Sequence, residues 1–411
     1  MTSTTRSDCA RRDDEDPLAG FRREFLLPEG VVYLDGNSLG ALPAAAPARI
    51  ARTVEQEWGE RLIASWNDAG WWDKPRTLGA MLAPLVGAGP HEVVVGDGTS
   101  ANLFKALVAA LRLNPERRVV LGETGNFPTD LYITGGVAEI MGAVERRVDA
   151  DRRAALAGAL AAGDVAVLLL SHVDYRTGAL RDMAEITRLA HANGALVVWD
   201  LCHSVGALPV ELAGCGVDFA VGCTYKYLNA GPGAPAFVFA AERHHGAARQ
   251  PLTGWHGHAR PFDFSAEYAP ADGASSFLSG SQPVVAAAAL EASLDLWQRV
   301  DLHQLREKSL ALTELFIEST GSAGLELVTP REGGRRGSQV ALRHPQGYAI
   351  VQALIARGVV GDFRAPDVLR FGFAPLYLRY TDVFDAASAL VEVVRGEEWR
   401  DPRFTAAKAV T

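Results

Sequence analysis

A lysine and an aspartate each follow a short apolar run, and together they could carry out carbonyl chemistry. Asp200 follows the run Ala195–Trp199, and Lys226 lies close behind a second run, Phe219–Val221. A lysine amine condenses with an aldehyde and an aspartate pairs with a protonated ring nitrogen, so the two residues suit a pyridine aldehyde. The alternative interpretation makes Lys226 a surface residue at the start of a loop and Asp200 a helix cap.

A second pattern could hold a phosphate group. Residues 93–102, VVVGDGTSAN, end an apolar run in two glycines, after which Thr99 and Ser100 begin a helical pattern. Glycines allow close backbone approach, and a helix start offers unpaired N–H groups to an anion. The string also matches G-x-G-x-x-A, a dinucleotide-binding pattern, with Glu123 at a tolerable distance behind it. A glycine turn capped by Thr99 or Ser100 explains it equally well.

Considered with Asp200, the phosphate pattern favours pyridoxal 5'-phosphate (PLP), because a NAD site has no use for Lys226. Phe127 follows the apolar run Val119–Leu121 and could stack on a pyridine ring, with Asp130 as a further polar contact. A proline turn with a buried Phe127 would explain the same residues. The cysteines and histidines lack the spacing of metal ligands, so we predict no metal site.

The elements that must position these residues alternate between strand and helix from about residue 92 to 240. Near-continuous apolar strands in such an alternation predict a buried, mostly parallel sheet, whose ligands bind at the carboxyl ends of the strands. The predicted strands are Val93–Val95, Val119–Leu121, Val165–Leu170, Leu196–Trp199, Phe219–Val221 and Phe237–Ala240. The predicted helices are Ala101–Leu111, Arg152–Ala162 and Asp182–Ala192.

The remainder of the chain predicts a second unit. Residues 244–280 look irregular, a helical segment runs from Val284 to about Ile317, and Ser338–Leu342 and Leu369–Phe373 are strand candidates. We therefore predict an α/β protein with four parts. These are a mobile N-terminal tail (1–19), a segment associated with the small domain (20–60), a large PLP-binding domain (61–299) and a small α+β domain (300–411).

Composition excludes several classes of protein. The 411 residues carry a net charge of −9, which argues against nucleic acid or an anionic membrane surface as a partner. No apolar run is long enough to span a membrane, and the first residues lack a secretory signal. Four cysteines without a CxxC pair are typical of reduced, buried thiols, and we expect a cytoplasmic protein.

Six strings of the sequence resemble the kynureninase family, in the family's order, from about residue 20 to 398. The strings YKYLN and RFGF are specific to that family. The six are Tyr33–Gly40 (YLDGNSLG), Asp97–Lys105 (DGTSANLFK), Phe127–Asp130 (FPTD), Asp200–Pro209 (DLCHSVGALP), Gly222–Pro235 (GCTYKYLNAGPGAP) and Gly361–Tyr377 (GDFRAPDVLRFGFAPLY).

The resemblance implies a fold-type-I PLP enzyme with a seven-stranded type of sheet, which forms homodimers with shared active sites. Such an enzyme hydrolyses the Cβ–Cγ bond of L-kynurenine to anthranilate and L-alanine. Lys226 would carry the cofactor as a Schiff base, Asp200 would pair with its ring nitrogen, and Tyr225 would relay protons. Near the ring, the resemblance implies His203 in support of Asp200, Phe127 stacked on the ring, and further contacts from Ser171 and Asp130. The implied phosphate contacts are Thr99, Ser100, Tyr225, Trp255 and Ser281. Of these, Trp255 and Ser281 would come from the partner subunit.

For the amino-acid substrate, the resemblance implies that Arg370 clamps the α-carboxylate and that Ser38 and Trp66 line the pocket. His256 and Gln282 depart from the family's usual residues, and they could contact a ring substituent, as on 3-hydroxykynurenine; neutral drift is the alternative. The pathway, tryptophan catabolism or the synthesis of a secondary metabolite, stays open. Two rival functions are another fold-type-I reaction, such as an aminotransferase or a cysteine desulfurase, and a NAD-dependent oxidoreductase. The desulfurase is disfavoured because no cysteine follows Cys223.

Overall fold

The computed structural model describes residues 4–406. Its strands are β1 (Phe25–Leu26), β2 (Val32–Tyr33), β3 (Leu42–Pro43), β4 (Val93–Val95), β5 (Val119–Glu123), β6 (Val144–Val148), β7 (Val165–Ser171), β8 (Leu196–Asp200), β9 (Phe219–Gly222), β10 (Phe237–Ala240), β11 (Glu326–Leu327), β12 (Gln339–Arg343), β13 (Val359–Val360), β14 (Asp362–Arg364) and β15 (Val368–Gly372). Its α-helices are α1 (Arg6–Asp14), α2 (Ala46–Arg52), α3 (Ser65–Asp68), α4 (Lys74–Leu82), α5 (Thr99–Leu113), α6 (Pro128–Met141), α7 (Arg153–Ala161), α8 (Met183–Ala192), α9 (Val284–Trp297), α10 (Leu302–Thr320), α11 (Gly347–Ala356) and α12 (Tyr380–Arg395).

A seven-stranded sheet forms the centre of the larger unit, with strand order β4-β10-β9-β8-β7-β5-β6. All neighbouring pairs from β6 to β9 are parallel, whereas β10 runs antiparallel to both β9 and β4. The predicted α/β class with a mostly parallel sheet is therefore confirmed. Strands β5, β7, β8 and β9 end at the same edge, and this edge carries Ser171, Asp200 and the Lys226 segment.

The six predicted strands form because their side chains are buried on both faces of the sheet. Every residue of β7 is buried, as is every residue of β4, β9 and β10. Helix α5 covers one face with an almost continuous set of buried alanines, leucines and valines. Burial on both faces favours β-branched and aliphatic runs, the pattern that the sequence displays.

Two elements of the large unit differ from prediction. Strand β6 was not predicted because it is an edge strand whose Glu145, Arg146 and Arg147 reach solvent or form ion pairs. Charged side chains on an edge strand hide the apolar pattern and protect the edge from pairing with other chains. The helix α6 was not predicted, and the proline turn was only the alternative interpretation of Phe127 and its neighbours. Pro128 occupies the first position of α6, where a proline needs no N–H partner.

The prediction of a single helical segment from Val284 to about Ile317 is wrong in one respect, because the structure has two helices there. Helix α9 ends at Trp297 and α10 begins at Leu302. The Asp301 side chain caps α10 by accepting hydrogen bonds from the N–H groups of His303 and Gln304. Among residues 4–406, no helix is both long and apolar enough to cross a membrane.

The second unit contains an antiparallel sheet of order β11-β12-β15-β14, covered by α10, α11 and α12. The strand β2 from the N-terminal part pairs in parallel with β13, and the Gly372 N–H donates to the Leu34 carbonyl. Helix α2 packs instead on α9, where Arg49 pairs with Glu291. The N-terminal part thus contacts both units, and the domain boundaries given above stay predictions.

The expected mobile tail over residues 1–19 differs from the structure in its described part. Residues Arg6–Asp14 form the helix α1, which begins with a capping box at Thr5. Helix α1 packs on α12, buries Cys9 and binds the N–H groups of Tyr380 and Thr381 through Asp13. The charged composition suggested a solvated segment, but tertiary contacts to the far end of the chain order it.

A buried carboxylate stabilises the edge of the sheet opposite the expected site. Asp218 precedes β9 and accepts hydrogen bonds from the Val197 N–H at 2.8 Å and from Arg243 at 2.7 Å. The Nε2 atoms of His191 and His244 lie 2.7 and 2.8 Å from its oxygens. Burial alone would raise the pKa of Asp218, but the hydrogen bonds from the histidines and from Val197 hold it well below its usual value.

Replacing Asp218 with asparagine should destabilise the fold by about 1–3 kcal/mol near neutral pH, because it removes a buried charge from several donors. A depressed folded-state pKa stabilises the fold above the unfolded pKa of about 4, and this stabilisation is lost as pH falls through the folded value. The difference between wild type and Asp218→Asn in urea-unfolding free energy should therefore shrink in acid. The matched Asp164→Asn change, in an exposed pair with Arg146, should have little effect. A difference that stays constant down to strongly acid pH would contradict this account.

Candidate active site

Lys226 lies in the loop that follows β9 and lines a cavity of about 250 Å³ at the carboxyl edge of the sheet. Its Nζ is 2.9 Å from His203 Nε2 and 5.9 Å from the centroid of the Phe127 ring. The cavity brings together residues from five separate stretches of the chain. They are Thr99, Ser100, Phe127, Thr129, Asp130, Ser171, Tyr175, Asp200, Cys202, His203, Tyr225 and Lys226.

Two buried carboxylates face each other in this cavity. Asp200 ends β8, where its Oδ1 accepts a hydrogen bond from the Cys202 N–H at 2.7 Å. Asp130 lies in the first turn of α6, and burial together with the nearby Asp200 charge raises its pKa well above the usual range. Asp130 Oδ2 has no hydrogen-bond partner in the described chain. Two such acceptors suit a cationic N–H group, which the protonated pyridine of PLP provides.

The opposite end of the cavity is suited to an anion. Thr99 and Ser100 begin α5, and no side chain caps this helix start, so its first N–H groups are available to a ligand. Asp97 shapes the preceding turn in a left-handed conformation, with φ of 51°. Ser279 and the buried Lys105 both bind Asp97 Oδ2, which holds the turn in place. The helix start and the turn that the sequence predicted are both formed, and their use as a phosphate cradle stays a prediction.

A hydrogen-bonded pair and two aromatic rings complete the cavity. Ser171 donates to Asn126 Oδ1 at 2.8 Å, while the buried Asn126 Nδ2 has no partner in the described chain. The Phe127 ring is partly exposed and meets Tyr175 edge to face at 5.2 Å. Sequence reasoning missed Tyr175, Thr129 and Cys202. The rule that ligands bind beyond the carboxyl ends of parallel strands could have found Tyr175 and Cys202, which follow β7 and β8.

His203 occupies the cavity but does not make the contact that the resemblance implied. We expected it to support Asp200, whereas its Nε2 lies against Lys226 and its Nδ1 lies 3.2 Å from Gln339 Oε1. Burial, with the charges of Lys226 and Arg370, lowers the pKa of His203 well below its usual value, so the ring is neutral. The Gln339 oxygen assigns the proton to Nδ1, which leaves Nε2 to accept a hydrogen bond from Lys226.

Arg370 lies beside the cavity, on β15 of the smaller unit, and is almost fully buried. Its Nη1 donates to the carbonyl of Tyr175 at 2.6 Å, and its Nη2 donates to Ser38 Oγ at 2.8 Å. The fold thus brings Ser38, which the resemblance assigned to the substrate pocket, into contact with Arg370. Asp362, which we did not predict, accepts from Arg370 Nε at 2.8 Å and binds Nη2 as well.

The charges around Arg370 form a compact buried cluster. Burial would raise the pKa of Asp362, but Arg370 and Arg364 outweigh it and lower the pKa. Burial and the charge of Asp362 raise the pKa of the neighbouring Asp35 to about 7. The guanidinium of Arg370 is thus held in one orientation by a carboxylate, a hydroxyl and a carbonyl. Sequence spacing gave no signal for this cluster, because its members come from both ends of the chain.

The remaining predicted residues do not line this cavity within one chain. Trp66, Trp255 and His256 belong to an aromatic cluster with Trp72, whose ring stacks on His256 at 4.3 Å. His256 is fully buried and its Nε2 lies 2.8 Å from the carbonyl of Trp72, which argues against a direct contact with substrate. Two further residues lie in the loop before α9. Ser281 is exposed there, and Gln282 accepts a hydrogen bond from the Asp97 N–H at 3.0 Å.

Comparison with known proteins gives consistent results for sequence and fold. A family model described as the kynureninase C-terminal domain matches residues 305–390. The kynureninase of Pseudomonas fluorescens is 50% identical over 418 residues, which cover 99% of this chain and 100% of that protein. An apo cysteine desulfurase from Thermococcus onnurineus NA1 has a TM-score of 0.78 at 18% identity, covering 92% of this chain and 98% of that one.

A second solved structure, a C-DES mutant with glycine covalently linked to its PLP cofactor, also has a TM-score of 0.78. It is 18% identical and covers 90% of this chain and 99% of its own. At these identities, both structural likenesses show the fold alone.

The mostly parallel seven-stranded sheet, with a lysine, paired carboxylates and an anion cradle at one edge, defines a fold-type-I PLP enzyme. The half-identical, full-length relative is more specific than the fold. The chain belongs to the kynureninase family. Its cofactor is PLP, and the donor set of the cavity fits that group at both its cationic and its anionic ends.

Replacing Lys226 with alanine should abolish both turnover and the covalent attachment of the cofactor, because the amine that condenses with the aldehyde is lost. Borohydride reduction followed by mass measurement of the denatured chain reports this attachment. The Lys74→Ala variant is a matched control, because it removes a partly buried lysine that pairs with Glu291 outside the cavity. A borohydride-stable cofactor adduct on the Lys226→Ala chain would show that the lysine has been misassigned.

Proposed function

We propose that this enzyme hydrolyses the Cβ–Cγ bond of L-kynurenine, or of a ring-substituted kynurenine, to the corresponding anthranilate and L-alanine. The observation that carries the proposal is the buried Arg370 guanidinium beside a PLP cavity, in a chain that is 50% identical to a kynureninase along its whole length. Tyr175 connects Arg370 to the cavity. Arg370 donates a hydrogen bond to the Tyr175 carbonyl, and Tyr175 lines the cavity wall. The Nη1 and Nη2 end of the guanidinium, which the Tyr175 carbonyl and the Ser38 hydroxyl bind in this structure, suits the carboxylate of an amino acid that would take their place.

When bound, PLP supplies an electron sink that accepts the electron pair released at the substrate's Cα. Lys226 Nζ takes the Cα proton in our proposal, and the neutral His203 accepts a hydrogen bond from this amine and keeps it directed into the cavity. Asp200, supported by its hydrogen bond from the Cys202 N–H, holds the positive charge of the ring nitrogen. These roles use groups that the fold already places within one cavity.

Tyr225 is the proposed proton donor in the later steps. Its ring lies 5.8 Å from Lys226 Nζ and lines the same cavity. Burial and the neighbouring Cys223 and Cys202 raise the pKa of Tyr225 above its usual value, so the phenol keeps its proton near neutral pH. A protonated phenol can deliver a proton to Cβ, the substrate carbon that loses the aroyl group when the Cβ–Cγ bond breaks.

With L-kynurenine, the purified enzyme should release anthranilate and alanine in equal amounts, measured by fluorescence and amino-acid analysis. Arg370→Lys should lower kcat/KM by about a hundredfold, because an ammonium cannot replace the bidentate fork that holds the carboxylate. Arg343→Lys is the matched control, on the neighbouring strand β12 and partly exposed, and it should change kcat/KM little. Formation of a keto acid, or of an alkyl product without anthranilate, would indicate an aminotransferase or a lyase.

The same assay decides whether a ring substituent is recognised. A polar contact from His256 or Gln282 would favour 3-hydroxykynurenine, but the His256 ring is buried and the Gln282 oxygen is already bound by the Asp97 N–H. We therefore expect kcat/KM for L-kynurenine and for 3-hydroxykynurenine to differ by less than about tenfold.

We also propose that the enzyme acts in the cytoplasm, in tryptophan catabolism by the kynurenine pathway, and so contributes to NAD biosynthesis.

We propose further that the enzyme is a homodimer. An apolar groove of about 690 Å³ lies between α2, the loop after Lys226 and the start of α9. Trp58 lines it, and Trp58 and the nearby Ile63 are 58% and 79% exposed in the single chain. Exposed apolar surface of this extent is typical of an interface between proteins. Another copy of the chain is the favoured occupant, because the residues that line the groove continue into the loop that carries Ser281.

In such a dimer, Trp255 and Ser281 would complete the partner's phosphate site. Both residues are exposed in the single chain and neither contacts its own cavity. The loop that carries Ser281 is tied to the chain's own cradle, because the Asp97 N–H donates to Gln282 and Ser279 binds Asp97. The Trp255 segment is attached to that loop, because the His256 N–H donates to the Ser279 carbonyl. The position of the loop is therefore fixed before any partner binds.

Hybrid dimers provide a test of shared sites. Lys226→Ala chains and Trp255→Ala/Ser281→Ala chains should each be inactive or strongly impaired as homodimers. Mixed after dissociation, they should recover up to about a quarter of wild-type activity, because half of the dimers are hybrids and each hybrid contains one intact site. Mixing Lys226→Ala with Lys226→Ala/Ser281→Ala is the control, and it should recover nothing. Hybrids that form, as shown by tagged co-purification, but stay inactive would exclude a shared site.

A further inference from the structure

Two cysteines lie side by side beneath the cofactor cavity and have no part in the proposed reaction. Cys202 comes two residues after the end of β8, and Cys223 comes directly after β9. These strands are parallel neighbours with Asp200 opposite Val221, and the Leu201 N–H extends the pairing by donating to the Val221 carbonyl. The same register, continued, places Cys202 opposite Cys223.

Each cysteine's sulfur contacts the backbone of the other cysteine. The Cys223 N–H donates to Cys202 Sγ at 3.2 Å, and Cys223 Sγ lies 3.8 Å from the Cys202 carbonyl oxygen. Neighbouring strands are about 4.8 Å apart, and a disulfide requires Cα atoms separated by about 4.4–6.8 Å. A bond between the two sulfurs is therefore compatible with the existing backbone.

The cysteine pair can be reached from the cavity, and it lies next to the groups proposed to carry out the reaction. Cys202 lines the cavity, so a small reagent that enters the cavity reaches its sulfur, whereas Cys223 lies behind it. The Cys202 N–H holds the Asp200 carboxylate at 2.7 Å, and Cys223 leads into the Tyr225–Lys226 segment. A covalent link between the cysteines would therefore connect the two strand ends that carry the main catalytic groups.

The thiols also influence each other's ionisation. The hydrogen bond that Cys202 donates to Cys223, together with burial, raises the pKa of Cys202. Burial opposes ionisation of Cys223 as well, but the hydrogen bond from Cys202 and the charge of Lys226 outweigh it and lower the pKa of Cys223. The pair thus holds one proton tightly and releases the other more readily, as a reactive dithiol does.

We propose that Cys202 and Cys223 form a reversible redox site, which hydrogen peroxide converts to a disulfide in the cofactor-free enzyme and which bound PLP shields. Cys202, the sulfur that lines the cavity, passes the shared proton to Cys223 and attacks a peroxide oxygen as the thiolate; the O–O bond breaks, and a water molecule leaves after protonation. The second sulfur then attacks the resulting sulfenic acid and displaces hydroxide, which takes up the second thiol proton as water. Two thiols and one peroxide give one disulfide and two waters.

The disulfide should weaken PLP binding rather than unfold the chain. Forming it requires the Cys202 sulfur to give up the Cys223 N–H, and it changes the cavity wall that Cys202 lines beside Asp200. Small displacements of a positioned group have large effects, so we expect the affinity for PLP to fall by about tenfold or more. Reduction by a thiol such as dithiothreitol should restore it.

The test uses the full-length holoenzyme and the same chain after its cofactor has been removed with hydroxylamine. Both are treated with hydrogen peroxide, digested without reduction and searched by mass spectrometry for the Cys202–Cys223 link, and PLP affinity is measured by absorbance titration. We expect the link in the cofactor-free chain, little of it in the holoenzyme, and recovery of both thiols and affinity after dithiothreitol.

Three variants separate this site from general oxidation. Cys215→Ala, which removes the half-buried cysteine outside the cavity, should keep both the link and the loss of affinity. Cys202→Ala and Cys223→Ala should each lose the link, and peroxide should leave their PLP affinity at its own untreated value. The proposal is overturned if no link forms in the cofactor-free chain, if it forms equally fast in the holoenzyme, or if peroxide weakens PLP binding as much in Cys202→Ala as in wild type.

Discussion

The burial of two carboxylates, Asp130 and Asp200, at one edge of the sheet is the constraint on which the site depends. Like charges in a water-poor cavity repel each other, and the pKa of Asp130 rises because burial and Asp200 disfavour its ionised form. The arrangement is costly for an empty cavity and favourable for one that holds a cation. The protonated ring nitrogen of bound PLP would relieve the repulsion, and the end of β8 and the start of α6 therefore suit that cofactor.

The remaining parts of the site depend on how the chain's two ends meet above this edge. Residues 35–41 run between the Lys226 loop and β15, where the Gly40 N–H donates to the Tyr225 carbonyl at 2.8 Å. A Cβ at Gly40 would overlap the Lys226 carbonyl oxygen, so only glycine allows this approach. Ser38 from the same stretch accepts a hydrogen bond from Arg370, so this stretch connects the proposed carboxylate clamp to the Lys226 loop.

Sequence reasoning succeeded where one environment governs a whole element. The strands β4, β7, β8, β9 and β10 are buried along almost their entire length, and their apolar runs predicted them closely. It failed where neighbours decide the structure. Strand β6 is charged because it lies at an edge, α1 looks solvated because its charges bind partners on α12, and His203 turns to Lys226 because Gln339 holds its other nitrogen. These partners are distant in the sequence, and no local pattern marks them.

The sequence by itself determined the cofactor and the family, because Asp200 and Lys226 follow strand-forming runs and the family strings surround them. It also determined that the chemistry takes place at the carboxyl ends of the strands, because ligands of a parallel sheet bind there. The tertiary structure decided which groups meet there. It joined Arg370 to Ser38 and Asp362, buried His256 away from the cavity, and set Cys202 against Cys223. The reason is that ion pairs and burial depend on distances between remote segments, which only the packed chain fixes.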